Sequence, residues 1–205
     1  MLLGVEIPQG VTSLGKWAFG DCGSLSEIKI PKDITSIGNW AFYGCRGLIN
    51  IELPPGLTSI GDSVFCGCSS LTSIAIPEGV ISIGEGAFKE CSGLTHVDVP
   101  EGVTSIGDCS FQGCSSLTHV SLPSSLTSIS LYALEGFSGM ISLAISEGGI
   151  NPDAWRLSRF SGTFILVIPA GVTRIEDRAF EGCSGLISLV IPQGVTCIGE
   201  WAFNG

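Results

Sequence analysis

Two histidines are the residues of this chain whose spacing most readily suggests chemistry. His96 and His119 are the only histidines, and they lie twenty-three residues apart. Asp98 and Ser121 follow them at the same interval, on the same face of a predicted strand. Two imidazoles and a carboxylate can bind zinc, and a serine, a histidine and an aspartate can form a hydrolytic triad. The sequence shows neither an orienting partner nor an oxyanion site, so we predict an exposed polar pair, with no metal site and no catalytic residue.

The nine cysteines could form disulfides, bind a metal or simply pack in the core. Six of them repeat in register, namely Cys22, Cys45, Cys68, Cys91, Cys114 and Cys183. Neighbours in a parallel stack lie about 4.8 Å apart, so distance does not exclude disulfides, but the total is odd and no Cys-x-x-Cys occurs. We predict six reduced thiols buried as small hydrophobes, with a disulfide ladder or a bound metal as the alternatives. Cys66 and Cys109, outside this column, are predicted to be exposed and reactive.

All four tryptophans fall in a second column of the same spacing, where a tyrosine joins them. The members are Trp17, Trp40, Tyr132, Trp155 and Trp201. On a helical turn, this position would point about 150° away from the neighbouring buried alanine. The core therefore does not need these rings. We expect them either to lie back over a neighbouring repeat or to form a contact stripe, because aromatic side chains dominate binding energies at interfaces.

A strict period of twenty-three residues positions all of these groups. Prolines mark it at Pro8, Pro31, Pro54, Pro77, Pro100, Pro123, Pro169 and Pro192. The chain thus contains a partial unit at 1–7, eight units over 8–191 and a partial unit at 192–205. A fixed period of this length signals a repeat array, so we predict a single repeat domain over residues 1–205.

One repeat is too small to form a core of its own. Ile74 and Ile76 alternate as in a strand, and Pro77 ends it because proline cannot donate to a sheet ladder. A second short extended piece follows, and then a predicted turn of helix in which Ala87, Phe88 and Cys91 share one face. Stacking like on like extends these inward positions through the array. The sequence therefore predicts a repeat solenoid.

The repeated motif Leu-x-x-Ile-x-Ile-Pro-x-Gly-Val-Thr-Ser-Ile-Gly-x-x-Ala-Phe-x-Gly-Cys resembles the BspA-like (treponemal-type) leucine-rich repeat family over the whole chain. The resemblance implies a right-handed solenoid with a parallel β-sheet on one side and short strands or helical turns on the other. It also implies a protein-binding or adhesive module at the cell surface or secreted, without catalytic residues or a cofactor. A structural spacer array within a longer multidomain protein is the alternative.

Two units depart from the motif. Unit 123–145 has Leu134 in the phenylalanine column and Phe137 in the cysteine column, an exchange that roughly conserves volume. Unit 146–168 is degenerate. Ser146, Gly149 and Pro152 replace the proline, valine and isoleucine of the motif, and Leu157 and Phe160 repeat the exchange. We predict a broken second strand there. Since both units keep the regular length, we expect the solenoid to continue without an insertion.

Composition excludes several functional classes. Charged residues make up 14% and apolar residues 44% of the chain, which does not fit an intrinsically disordered segment, and no apolar run is long enough to span a membrane. A net charge of −10 without a basic block argues against nucleic acid as a partner.

The first residues of the chain do not form a signal peptide. Neither end carries an atypical capping repeat, so we expect continuation in a longer chain or end-to-end self-association.

The strand face is the predicted binding surface, because each repeat contributes one or two outward side chains to it. Its two outward columns are polar and acidic through Asp98 and apolar from Ala144 onward. Ile141, Phe164 and Ile187 lie beside them and are predicted to extend the exposed apolar patch. The residues assigned to a protein partner are Glu27, Lys29, Asn50, Glu52, His96, Asp98, His119, Ile165 and Val167. Ser63, Gly86 and Cys109 interrupt the tryptophan column, so Trp17 and Trp40 are the second choice.

Overall fold

The computed structural model describes residues 2–130, 132–137, 139–143, 163–168 and 171–205. These ranges contain fifteen short strands. In chain order they are β1 (Gly4–Glu6), β2 (Ser13–Leu14), β3 (Glu27–Lys29), β4 (Ser36–Ile37), β5 (Ser59–Ile60), β6 (Ser82–Ile83), β7 (His96–Asp98), β8 (Ser105–Ile106), β9 (His119–Leu122), β10 (Ser128–Ile129), β11 (Met140–Leu143), β12 (Phe164–Val167), β13 (Arg174–Ile175), β14 (Leu186–Val190) and β15 (Cys197–Ile198).

The strands form two sets of parallel ladders, one for each extended piece of the repeat. The first set forms the strand face, with β1 beside β3 and a five-stranded sheet in the order β7, β9, β11, β12, β14. The second set pairs β2 with β4, orders β5, β6, β8 and β10 in one sheet, and pairs β13 with β15. This arrangement is the predicted parallel-stranded leucine-rich repeat solenoid.

The strand face is not one continuous sheet. The side chains of Ile51 and Ile74 are buried in two successive repeats. Both repeats are described by the structure here, yet neither contributes a strand to the ladder. The amide of Ile49 lies 3.5 Å from the carbonyl oxygen of Ser26, and that of Thr72 lies 3.2 Å from the carbonyl oxygen of Ile49. These contacts are longer than most backbone hydrogen bonds. The strand predicted at Ile74 and Ile76 is therefore absent, and on this face apolar packing rather than ladder pairing joins the repeats, while the turn side keeps inter-repeat hydrogen bonds.

The third side of the repeat is a ribbon of turns, and the predicted helical turn is wrong for the described residues. Short i→i+3 bonds do form, as from Cys45 N to Phe42 O, but amides also donate to the next repeat, as from Phe42 N to Val64 O at 2.9 Å. The cause is backbone handedness: Trp40 has φ 59° and Gly44 φ 68°. Left-handed residues at both positions interrupt any helix.

The core consists of columns that repeat along the solenoid axis. The phenylalanine rings stack from one repeat to the next, with centroids 5.5 Å apart for Phe42 and Phe65 and 5.6 Å for Phe65 and Phe88. Their planes differ by 8° or less. The neighbouring alanine, leucine and cysteine columns are largely buried, although Ala18 is exposed and Cys22 and Leu186 are half-buried. Phe42, Phe65 and Phe88 therefore have ring neighbours on both faces, which a single repeat could not supply.

The predicted behaviour of the cysteines is confirmed only in part. Cys45, Cys68, Cys91, Cys114 and Cys183 are buried, whereas Cys22 is half-buried. Buried thiols donate to phenylalanine carbonyls, as from the Sγ of Cys68 to Phe42 O at 3.2 Å. The prediction that Cys66 is exposed is wrong, because 8% of it is accessible, and Cys109 is half-buried. The small side chain of Cys66 lies between Tyr43 and Lys89, the larger residues at the same position of the two neighbouring repeats.

The predicted constant unit length fails after Phe137. In a regular array Ser142 would pair with the residues one period before and one period after it. Instead it pairs with Ser121, which is two residues closer in the sequence than one period, and with Val167, which is two residues further away than one period. A β-carbon on Gly139 would lie 2.3 Å from the carbonyl oxygen of Thr118, so the chain cuts inward where only glycine fits. The two deviations cancel over two units. Because each shift is two residues, the strand keeps the same face toward the core.

The exchange of leucine and phenylalanine is confirmed where the structure describes it. Leu134 and Phe137 are both buried in unit 123–145. The larger ring at the cysteine position accompanies the shortened path that follows it. The first strand of unit 146–168 is present as β12. Its broken second strand and the exchange at Leu157 and Phe160 lie outside the described residues.

Candidate binding surfaces

The polar columns of the strand face are exposed in β3 and β7, whereas His119 and Ser121 are only half-buried in β9; their strands alternate between core and solvent. In β3, Ile28 is buried between exposed Glu27 and Lys29. In β7, Val97 is buried between exposed His96 and Asp98. Asn50 and Glu52 are exposed in the turn between these two parts of the sheet.

The two histidines are in register on neighbouring strands. His96 pairs with His119, and Asp98 pairs with Ser121. The Oγ1 of Thr95 lies 3.3 Å from the Nδ1 of His96, within hydrogen-bond distance. In the described part of the chain, no three side chains of histidine, cysteine, aspartate or glutamate converge on a site for a metal ion. His96 is exposed on this face and His119 is half-buried.

The apolar third of the strand face is only partly as predicted. Ile165 and Val167 are half-buried in β12, while Ile187 is 66% and Val190 51% exposed in β14. Ile141, expected to be exposed beside them, is buried because the register shift aligns it with Val120. The same shift moves Ser142 from the histidine column to that of Ser121. Ala144, predicted to begin the apolar stretch, lies outside the described residues.

The predicted second-choice residues form an aromatic cluster on the turn side. Trp17 and Trp40 stack at 6.2 Å with planes 4° apart, and Trp17 lies 5.1 Å from the ring of Tyr43. The Lys16 ammonium lies 4.5 Å from the centre of the Trp40 ring, a cation–π contact. The rings therefore lie against the neighbouring repeat, the first of the two alternatives, while 44% of Trp17 remains exposed. Tyr132 and Trp201 are exposed further along, and Trp155 lies outside the described residues.

A polar groove adjoins this cluster and shares Tyr43 with it. Its volume is about 420 Å³, within the range of small-molecule and peptide sites. The groove runs along the column of Asp21, Gly44, Gly67, Glu90 and Gly113, all of which have positive φ. Tyr43 and Cys66 line one side, and Arg46, Ser69 and Ser92 line the other.

Glycine makes the floor of the groove. Gly44 and Gly67 occupy this position in two consecutive repeats. The repeat before them has Asp21 at the position, and the repeat after them has Glu90. A β-carbon on Gly44 would lie 2.4 Å from the Oδ1 of Asp21, so that carboxylate already covers this glycine. A β-carbon on Gly67 would meet only Gly44, whose Cα lies at 3.6 Å.

Burial governs the electrostatics of the thiols. It raises the pKa of Cys45 to about 12 and that of Cys183 to about 11, with the pKa of Cys91 also well above the ordinary value near 9. Desolvation is the main cause in each case, since a thiolate is disfavoured in an apolar core. Burial likewise raises the pKa of Cys66, so this residue of the groove wall is a poor nucleophile at neutral pH.

The sequence motif is matched by a known family along the chain. The model of the BspA type leucine rich repeat region matches residues 2–101, 58–165 and 159–205, in six copies. The chain belongs to the BspA-type leucine-rich repeat family. Members of this family and fold are typically non-catalytic and generally serve as protein-interaction modules. No membrane-spanning helix is found among the residues that the structure describes.

Solved structures of other leucine-rich repeat proteins have a similar fold. The chain is 28% identical to the leucine rich repeat protein of T. pallidum, covering 97% of this chain and 73% of that one, with a TM-score of 0.56. A leucine-rich repeat protein from Bacteroides ovatus is 26% identical over 98% of this chain and 72% of its own, also with a TM-score of 0.56. A leucine rich cell surface protein from Faecalibacterium prausnitzii is 29% identical over 98% and 58%, with a TM-score of 0.50. No curated protein matches the sequence.

The sequence reasoning missed the groove and four of the side chains around it: Asp21, Tyr43, Arg46 and Glu90. A signal for it was present, because glycine recurs at this column while Asp21 and Glu90 replace it. Recurrent glycine in a repeat indicates positive φ, and consecutive glycines between two charged residues indicate a gap in the side-chain surface. Assigning the segment to a helix concealed that signal.

Proposed function

We propose that the chain is a protein-binding module and that its strand face makes the contact. The observation that carries this proposal is the exposure of the two outward columns in both parts of the strand face, at Glu27 and Lys29 and again at His96 and Asp98. Side chains on successive strands of such a face lie about 4.8 Å apart. They form an extended surface on a rigid array, as repeat proteins use for partners. The proposal treats residues 1–205 as one domain, which the pairing of β12 with both β11 and β14 supports.

The charge of this face favours a basic partner. Glu6, Glu27, Glu52 and Asp98 are exposed on it with a single lysine, Lys29, among them. The net charge of the whole chain is −10, which increases the attraction of a cationic partner at low salt. The apolar end at Ile187 and Val190 would contribute desolvated contact area, since exposed apolar patches mark interaction sites. The Faecalibacterium relative is a cell surface protein, which supports a cell-surface location for this chain as well.

A pair of charge-reversal variants tests the strand face. One variant carries Glu27→Lys, Glu52→Lys and Asp98→Lys. The control carries Asp33→Lys, Glu78→Lys and Asp108→Lys, which are exposed elsewhere and have the same effect on net charge. Both should give the far-ultraviolet spectrum and unfolding midpoint of the parent chain. Binding of basic proteins immobilised on a sensor should then be lost in the first variant and retained in the control.

The spacer alternative predicts a different result. If the chain only separates other domains, the parent and both variants should bind equally weakly, with a signal that salt removes uniformly. Equal losses in both variants would indicate attraction by net charge alone. Either outcome contradicts a dedicated strand-face site.

A further inference from the structure

We propose that the groove on the turn side is a second binding site, for a short extended peptide segment with basic side chains about four residues apart. The groove and the strand face are formed by different parts of each repeat, so this site is independent of the proposed function. Its walls are aromatic and charged, and its floor is backbone. These three features each restrict what can bind there.

The charged groups at the groove are available to a ligand. Asp21, Arg46 and Glu90 are exposed, and within the described ranges their side chains make no hydrogen bond or ion pair. Other charged residues on the same ribbon do find partners: Asp62 accepts a hydrogen bond from Asn39, and Arg178 contacts Glu181. The groove thus collects three charges that the fold itself does not use.

The spacing of the carboxylates sets the length of the ligand. Asp21 and Glu90 belong to the same column and stand three repeats apart, with Gly44 and Gly67 between them. Three steps of a parallel stack amount to about 14 Å. An extended peptide covers about 13 Å in four residues. Two basic side chains at positions i and i+4 would therefore each meet one carboxylate, which is charge complementarity at both ends.

The glycine floor and Arg46 fit the backbone of such a segment. Because Gly67 lacks a side chain, a peptide main chain can approach the ribbon closely there, beside the Asp21 carboxylate that covers Gly44. The Arg46 side chain lines the same stretch and presents a fork of donors to peptide carbonyl oxygens. Its charge also disfavours a third basic residue at the centre of the ligand, so the segment should be neutral between its basic ends.

The aromatic cluster contributes Tyr43 to the wall of the groove. Tyr43 lines the groove and packs against Trp17, which stacks on Trp40. Stacked rings lose little side-chain entropy on binding, and such rigid aromatic residues often dominate interfaces. Their fluorescence also provides a signal for binding, because a ligand beside Tyr43 alters the surroundings of Trp17.

Peptide titration tests the proposal directly. The probe is acetyl-Lys-Ser-Gly-Ser-Lys-amide, followed by tryptophan fluorescence and by calorimetry on the full chain. The controls are the same peptide with glutamate in place of lysine, and one with both lysines adjacent. We expect saturable one-to-one binding of the first peptide and at least about tenfold weaker binding of both controls. Equal binding of the adjacent-lysine peptide would overturn the predicted spacing.

A matched pair of glycine substitutions separates the groove from general effects on the ribbon. Gly67→Asn places a side chain on the floor, at φ 76°, while Gly136→Asn places it in the same column at φ 79° in open space. Asparagine tolerates this conformation better than most residues, and Asp21 and Glu90 already adopt it in this column. Gly67→Asn should reduce affinity about tenfold or more, and Gly136→Asn should leave it unchanged.

Charge neutralisation provides the second readout. Asp21→Asn and Glu90→Gln should each weaken the peptide, whereas Glu78→Gln, at an exposed site elsewhere, should not. The strand-face triple variant should retain full peptide binding. Loss of peptide binding in that variant but not in Gly67→Asn would show that the peptide occupies the strand face and that the groove proposal is wrong.

Discussion

The strand face and the turn side of this solenoid share one repeat period, yet their backbones follow different rules. On the strand face, successive side chains alternate between core and solvent, as in β3 and β7. On the turn side, two positions in each regular repeat have positive φ, the column of Trp40 and the column of Gly44. Identical spacing in the sequence therefore produces a flat ladder on one side and a ribbon with a groove on the other.

The difference shows what repetition does and does not determine. A period brings like residues together on both sides, as the in-register histidines and the stacked phenylalanines demonstrate. The direction in which a side chain points depends on local φ and ψ. Where the backbone is left-handed, a direction inferred from helical geometry is wrong even though the neighbours are inferred correctly.

The largest expected effect compares core residues from the two sides. Phe65 is fully buried between two stacked rings, so Phe65→Ala should reduce the free energy of unfolding by about 3–5 kcal/mol. Ile74 is buried where the strand face lacks ladder pairs, and Ile74→Ala should fall near the lower end of about 2–5 kcal/mol. Urea unfolding followed by circular dichroism measures both.

The outward residue Glu52 serves as the control for this pair. Glu52→Ala should change the free energy of unfolding by no more than about 0.5 kcal/mol. If Ile74→Ala costs more than Phe65→Ala, the ring stack does not contribute the greater part of the packing energy.

The second expected effect is alkaline destabilisation through the buried thiols. Below pH 9, Cys45 is protonated in both the folded and the unfolded chain and has no influence. Above pH 9 the unfolded chain loses this proton, while burial keeps the pKa of folded Cys45 at about 12. The free energy of unfolding should then fall by up to about 1.4 kcal/mol per pH unit for each such thiol until pH 12.

Removing one thiol should make this slope shallower. Cys45→Ala loses some packing at every pH, but its free energy of unfolding should decline less steeply between pH 9 and 11 than that of the parent chain. The comparison requires a reducing buffer and chemical unfolding at each pH. An unchanged slope would mean that Cys45 ionises equally readily in both states.

The sequence was sufficient for the architecture and for half of the surface. Alternation of apolar residues placed Glu27, Lys29, His96 and Asp98 outward, and the structure agrees. The path after Phe137 could not be predicted, since it depends on the space between Gly139 and Thr118. That space exists only once the repeats are stacked.

The recurrent glycines indicated positive φ, but the shape of the groove could not be predicted, for a related reason. Its floor depends on positive φ at Gly44 and Gly67, and its wall depends on Tyr43 packing against Trp17. A column that contains glycine, aspartate and glutamate gives no hydrophobic pattern from which direction can be inferred. Only the backbone of the ribbon shows that these residues surround one space.

The smallest expected effect is also the most direct test of the difference between the two backbones. Ser63 lies on the turn side at φ 53°, where a β-carbon is unfavourable and glycine is not. Ser63→Gly should therefore be more stable than Ser63→Ala by about 1 kcal/mol.

Glu27 lies in strand β3, where glycine is destabilising by roughly 0.5–1 kcal/mol relative to alanine. Glu27→Gly should therefore be less stable than Glu27→Ala. Thermal and urea unfolding of the four variants give both differences, and each glycine variant is measured against the alanine variant at the same position, so lost side-chain contacts cancel. The two differences must have opposite signs. If glycine is worse than alanine at both positions, the turn side does not hold Ser63 in a left-handed conformation, and the contrast between the two backbones is wrong at this column.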